Sequence, residues 1–165
     1  MKIFSVIISY NPDFEKISNL IMDLLKSNVE VVIVDNNSTN KKMLENINGC
    51  HKIFLDENEG IARAQNFGIE FCLKNGAEYV IFFDQDSTIS DNFINDLMFD
   101  YKQLEIQGLK IGAIGPRFMD ERFKFFYPSI NYNNGKRERI DTENINKPTK
   151  STLLISSGSL VSTST

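Results

Sequence analysis

Two carboxylates one residue apart, Asp84 and Asp86, follow the apolar run Tyr79–Phe83. At the end of a buried strand such a pair can converge on a hard divalent cation. Mg²⁺ or Mn²⁺ takes oxygen ligands there and shares them with substrate phosphates. The same residues also suit a turn in which Asp and Ser satisfy backbone donors. Asp35 closes a second apolar run, Val29–Asp35. A carboxylate in that place can accept hydrogen bonds from a base or ribose, or it can close an Asx turn. The string Asn58–Gly68 (NEGIARAQNFG) opens a helix. Free N–H groups and the helix dipole favour an anion at such a start, and Arg63 adds charge-assisted contacts. A helix start followed by small residues for close packing accounts for the same string. No GxGxxG follows the first apolar run, which argues against NAD. His51 is the sole histidine, and the cysteines, Cys50 and Cys72, lack metal-ligand spacing. A His-based triad and a multi-histidine zinc site are thereby excluded, and a reducing compartment is the simplest setting.

These residues need elements to position them, and the first 115 residues alternate strand and helix signals. Lys2–Ser9 is β-branched and apolar and stops at Asn11-Pro12. Between Phe14 and Lys26, Ile17, Leu20, Ile21, Leu24 and Leu25 form an amphipathic stripe. Val29–Asp35 is a second strand, Lys41–Ile47 a short helix and Lys52–Leu55 a third strand. Gly60–Lys74 has helical spacing, Tyr79–Phe83 is a fourth strand, and Asp91–Gln107 is a helix with Ser90 as its N-cap. Leu109–Gly115 reads as a fifth strand closed by Pro116. Short apolar strands separated by amphipathic helices imply an α/β fold with a mostly parallel sheet covered on both faces. In such sheets the polar loops at strand C-termini bind ligands. The polar clusters lie at those ends: Tyr10-Asn11, Asp35-Asn36-Asn37 and Asp84-Gln85-Asp86.

The organisation changes after Pro116. Phe123–Ile130 reads as extended or hairpin, Asn131–Lys150 as a long polar loop, and Thr152–Thr163 as a strand broken by Gly158. The 165 residues form one domain of normal size, whose character differs between 1–116 and 117–165. With 41% hydrophobic and 24% charged residues the composition is that of an ordinary globular domain. Charge is uneven: residues 1–100 hold 8 Lys and Arg against 16 Asp and Glu, residues 101–165 hold 10 against 6. An acidic first part argues against nucleic acid. The basic remainder is interleaved with aromatics (Phe118, Phe123, Phe125, Phe126, Tyr127, Tyr132). It suits either a solvated face over core aromatics or a phosphorylated or membrane-borne partner.

Four strings occur in order: SVIISYNP, VVIVDNNS, NEGIARAQNFGI and YVIFFDQDS. Together they resemble family 2 glycosyltransferases. The FDQDS form, followed by IGAIGPRF and LLISSGSL, most resembles bacterial rhamnosyltransferases of that family. The resemblance covers essentially the whole chain. It implies a GT-A fold, a Rossmann-like three-layer sandwich, incomplete here at the C-terminus, with 1–116 the nucleotide-binding part and 117–165 the start of the acceptor part. It also implies metal-assisted inverting transfer of a sugar, L-rhamnose from dTDP-L-rhamnose, in bacterial surface-polysaccharide synthesis, with a UDP-sugar as the alternative donor. The implied acceptor is a glycan or lipid-linked glycan, and the implied place is the cytoplasm, peripheral at the inner face of the membrane.

By the same resemblance Ser9, Tyr10 and Asn11 line the nucleotide pocket and Asp35 contacts the base. Asn58, Gly60, Arg63 and Asn66 help hold nucleotide and diphosphate. Asp84 and Gln85 lie near the ribose, and Asp86, with Asp84, holds Mg²⁺ or Mn²⁺. Ser157-Gly158-Ser159 matches the segment beneath the donor sugar. The family's general base, an Asp or Glu downstream of that segment, has no counterpart here and is expected beyond Thr165. The chain therefore reads as the donor-binding part of a longer enzyme, and self-association through an exposed strand edge or apolar surface at Thr152–Thr163 is a further expectation. Two other readings stand beside it: a non-catalytic nucleotide-sugar-binding fragment, and a phosphatase in which the DxDxT of Val80–Ile89 makes Asp84 a nucleophile.

Overall fold

A computed structural model of the chain describes residues 1–120 and 123–164. Four parallel strands form the body of one sheet. They are β1 (Ile3–Ser9), β2 (Glu30–Asp35), β3 (Cys50–Phe54) and β4 (Tyr79–Asp84). Helix α1 (Phe14–Lys26) links β1 to β2, and α2 (Lys42–Glu45) links β2 to β3. Helix α3 (Ile61–Lys74) links β3 to β4, and α4 (Phe93–Ile106) follows β4. Next come β5 (Ala113–Ile114), β6 (Met119–Asp120), β7 (Phe125–Phe126), β8 (Ser129–Asn133), β9 (Lys136–Ile140) and β10 (Leu160–Ser162). The sheet order is β3-β2-β1-β4-β10-β5, with β10 antiparallel to both neighbours.

Strand periodicity assigns the two faces. Ile3 and Ile7 of β1 pack with Ile17, Leu20, Ile21 and Leu24 of α1 and with Ile94, Leu97 and Tyr101 of α4. Phe4 and Val6 point the other way, onto Ala64 and Cys72 of α3. The result is three layers, helix–sheet–helix, as expected for strands that are apolar on both faces. Asp13 caps α1, its Oδ1 accepting from the Glu15 and Lys16 amides at 3.0 and 3.1 Å. Gly68 sets the spacing of α3: a Cβ there would lie 2.5 Å from Val6 Cγ1.

Several sequence expectations need correction. The fifth strand is only Ala113–Ile114, paired with Val161 and Leu160 of the short β10, and the Ile111 carbonyl before it accepts from the Tyr101 hydroxyl at 2.8 Å. Ser90 does not cap α4; Asn92 holds that place without a side-chain bond, and the Ser90 carbonyl accepts from Phe93 N–H in a turn. The region read as a long loop, Asn131–Lys150, contains most of the β8–β9 hairpin, turned by Asn134 and Gly135 at φ 49° and 77°. Thr152–Thr163 is a strand only from Leu160, since Gly158 at φ 73° turns the chain just before. That strand is no exposed edge, because β4 and β5 flank it. The apolar surface nearby is Leu153, Leu154 and Ile155 instead.

Candidate functional site

The C-terminal ends of β2, β1 and β4 lie side by side. A cleft of about 390 Å³ opens over them. Tyr10 reaches it from the first loop, Asn36 from the second, Asn58, Gly60 and Ile61 from the start of α3, and Asp84 and Gln85 from the end of β4. The volume lies within the usual range of small-molecule sites. A larger groove of about 1450 Å³ lies between α4, β5 and the 117–155 region, but none of the expected site residues lines it.

Beneath the cleft, sheet register places Ser9 beside Asp35. Ser9 Oγ donates to Asp35 Oδ1 at 2.9 Å, and the Ser38 amide donates to Asp35 Oδ2 at 2.9 Å. The Ser38 hydroxyl also donates to Oδ1 and in turn accepts from the Asn11 amide at 2.8 Å. Asn11 Oδ1 accepts from Thr39 N–H at 2.9 Å. Asp35 is 1% exposed, so its carboxylate organises the first two loops from below.

Asn36 and Asn58 join the second loop to α3. Asn36 Nδ2 donates to Asn58 Oδ1 at 2.9 Å, while Asn36 Oδ1 accepts from the Glu59 amide at 2.9 Å. Gly60, at φ 78°, then opens α3 with no side-chain cap. The first-turn N–H donors and the positive end of the dipole are left to serve an anion at the cleft. Arg63 is committed elsewhere: it pairs with Glu59 at 3.2 Å, and neither Arg63 nor Asn66 lines the cleft.

On the other side, Gln85 clamps the Tyr10 peptide unit. Its Oε1 accepts from Tyr10 N–H at 2.7 Å and its Nε2 donates to the Tyr10 carbonyl at 3.3 Å. Ser157 Oγ accepts from the Asp84 amide at 3.2 Å and lies 2.9 Å from Ser87 Oγ. The Gly158 amide donates to the Phe82 carbonyl at 2.6 Å. Partial burial raises the Asp84 carboxyl above the usual carboxylate range, and the nearby charge of Asp86 raises it further, while a Ser157 hydrogen bond pulls it back. These two carboxylates are the hard-oxygen pair available to a metal. Among the described residues no third His, Cys, Asp or Glu gathers with them. That suits Mg²⁺ or Mn²⁺, which keeps waters and substrate phosphates beside one or two carboxylates.

Tyr10, Asn58, Gly60, Asp84 and Gln85 thus meet at one cleft, with Ser9 and Asp35 below it and Ser157-Gly158 behind the Asp84 turn. Sequence reasoning missed Asn36 and Ser38 as site builders. Their only signal was membership of the polar string that ends β2.

The glycosyl transferase family 2 profile matches residues 5–158. The dTDP-rhamnosyl transferase RfbF of Shigella flexneri is 44% identical over 163 residues, covering 97% of this chain and 53% of RfbF. The chain therefore spans about half the length of that curated relative. S. aureus TarS residues 1–349 superpose with a TM-score of 0.60 at 20% identity, over 99% of this chain and 48% of that one. A second TarS structure gives 0.52 at 24% identity, over 64% of this chain and 20% of that one. These two likenesses speak for the fold, which is GT-A. The profile runs through Asp84–Asp86 and sets aside the phosphatase likeness of Val80–Ile89. The chain belongs to glycosyl transferase family 2.

Proposed function

We propose that this chain is the donor-binding part of a rhamnosyltransferase that takes L-rhamnose from dTDP-L-rhamnose. The observation that carries the proposal is the cleft at the strand C-termini, where an uncapped helix start and Asp84 frame one space, with Asp86 two residues on but outside the cleft lining. The donor identity draws on the likeness to RfbF, a dTDP-rhamnosyl transferase. In this reading Tyr10 and Asn36 line the nucleoside end, Asp35 sets the loops that hold it, and α3 faces the diphosphate. Asp84 and Asp86 hold Mg²⁺ or Mn²⁺, which supplies positive charge against the diphosphate leaving group. An inverting transfer also needs a base on the acceptor hydroxyl, and no residue here matches the family's base. The acceptor is a growing surface glycan carried on a lipid at the inner face of the membrane. No helix of the described residues is long and apolar enough to cross a membrane.

A thermal-shift panel with dTDP, UDP, GDP and CDP, each with and without Mn²⁺, tests the donor site, because specific ligands raise apparent stability by mass action. The expected result is a Mn²⁺-dependent shift with dTDP that Asp86→Ala abolishes. A shift with UDP alone keeps the family and changes the sugar. No shift with any nucleotide overturns the donor-site reading for this chain. Binding of dTDP-rhamnose without turnover favours the second reading, a nucleotide-sugar-binding fragment.

A further inference from the structure

The β8–β9 hairpin sorts its side chains by register. Ile130 lies opposite Arg139 and Tyr132 opposite Arg137, while Asn131 lies opposite Glu138. Residues two apart share a face of a strand. One face therefore carries Ile130, Tyr132, Arg137 and Arg139, and Glu138 is on the other. Ile130, Arg137 and Arg139 line the large groove of about 1450 Å³. Among the described residues six lysines and arginines line this groove against two aspartates, Asp96 and Asp100, both on the α4 wall. Among the described residues Arg137, Arg139, Lys147 and Lys150 have no ion-pair partner. Leu153, Leu154 and Ile155 line the same groove and are 54%, 44% and 50% exposed.

Unpaired cations around half-exposed aliphatics fit an amphiphile with an anionic head. Exposed apolar surface rimmed by polar residues marks an interaction site. Basic residues are drawn to anionic lipid surfaces, and exposed aromatics such as Tyr132 suit the headgroup level. Residues 1–100 carry a net negative charge, Asp96 and Asp100 on the groove wall included, so such a surface attracts the hairpin side rather than the rest of the molecule. We propose that this hairpin-and-groove face docks on an anionic phospholipid bilayer, with Arg137, Arg139, Lys147 and Lys150 on the phosphates and Leu153–Ile155 at the acyl boundary. The inference deepens the membrane side of the function proposed above and is independent of the donor cleft.

Co-sedimentation of the chain with vesicles tests it. Binding is expected to vesicles of phosphatidylcholine mixed with phosphatidylglycerol, to fall steeply with salt, and to be absent from phosphatidylcholine alone. Arg137→Glu with Arg139→Glu should lower partitioning by about thirtyfold or more, from the usual contribution of two basic residues near such a surface. Lys41→Glu with Lys42→Glu makes the same change in net charge elsewhere and should leave binding nearly unchanged. Leu154→Ser keeps every charge and should weaken binding without altering its salt dependence. The nucleotide thermal shift, measured on each variant, reports folding and the donor site separately. Equal binding to both vesicle types, no binding by the folded wild type, or equal loss in both charge-reversal pairs overturns the proposal. Self-association that the Arg137/Arg139 variant abolishes, without vesicle binding, also overturns it and assigns the face to a second copy.

Discussion

Gln85 sits between two carboxylates yet spends its own side chain on the Tyr10 backbone, through hydrogen bonds of 2.7 and 3.3 Å. It ties the turn that carries Asp84 and Asp86 to the loop proposed to line the nucleoside end. Tyr10 is half exposed, so water can replace Gln85 there and the fold loses little. Gln85→Ala should therefore lower dTDP affinity about tenfold, in line with one or two net hydrogen bonds, and leave the denaturation midpoint almost unchanged. Gln85→Glu keeps an acceptor for Tyr10 N–H, loses the donor and adds negative charge at the proposed donor cleft, so it should bind more weakly than Gln85→Ala. Calorimetric titration separates the three proteins, and wild-type affinity in Gln85→Ala would remove the positioning role. The clamp was not legible in the sequence, because residues 10 and 85 meet only through the pairing of β1 with β4. The same holds for Asp35. Its place at a strand end was legible, but its partner Ser9 is set by the β1–β2 register.

At the scale of elements, Gly68 shows how closely α3 lies on the sheet. A Cβ there would stand 2.5 Å from Val6 Cγ1 and 3.2 Å from Val34 Cγ2. Alanine favours a helix interior by about 1 kcal/mol over glycine. Overpacking costs about 1–3 kcal/mol, so Gly68→Ala should destabilise the chain on balance. It should also shift the start of α3 against the cleft. Urea denaturation decides the sign, and a stabilised Gly68→Ala would mean that α3 can move off β1 at little cost. The three longer helices and strands β1, β2 and β4 were legible because their apolar residues repeat with the periods of helix and strand. The β8–β9 hairpin was not, because its strands carry Asn, Lys, Arg and Glu rather than an apolar alternation. Its turn did have a signal: Asn134-Gly135 supplies two positive φ angles, the local chemistry of a tight hairpin. The fifth strand was legible but read too long, because its length is set by the short partner β10, which only the fold brings beside it.

For the whole molecule, β10 joins the two parts of the chain. Leu160 is fully buried and pairs with Ile81 of β4 on one side and Ile114 of β5 on the other. Among the described residues β5 meets the sheet only through β10. The residues just before β10 close the Asp84 turn, with Ser157 on the Asp84 amide and Gly158 on the Phe82 carbonyl. Sheet completion and site closure therefore depend on one short segment. Leu160→Ala leaves a cavity between β4, β5 and the α4 layer and should cost about 2–5 kcal/mol. Because Ser157 is carried by the same segment, the Mn²⁺-dependent dTDP shift should shrink as well. Hydrogen exchange distinguishes a shared unit from two independent ones. In Leu160→Ala the amides of Phe82, Asp84 and Leu160 should lose protection together, while those of β2 keep theirs. Loss confined to Leu160, with Phe82 and Asp84 still protected, would mean that the turn holds itself and that β10 serves the sheet alone.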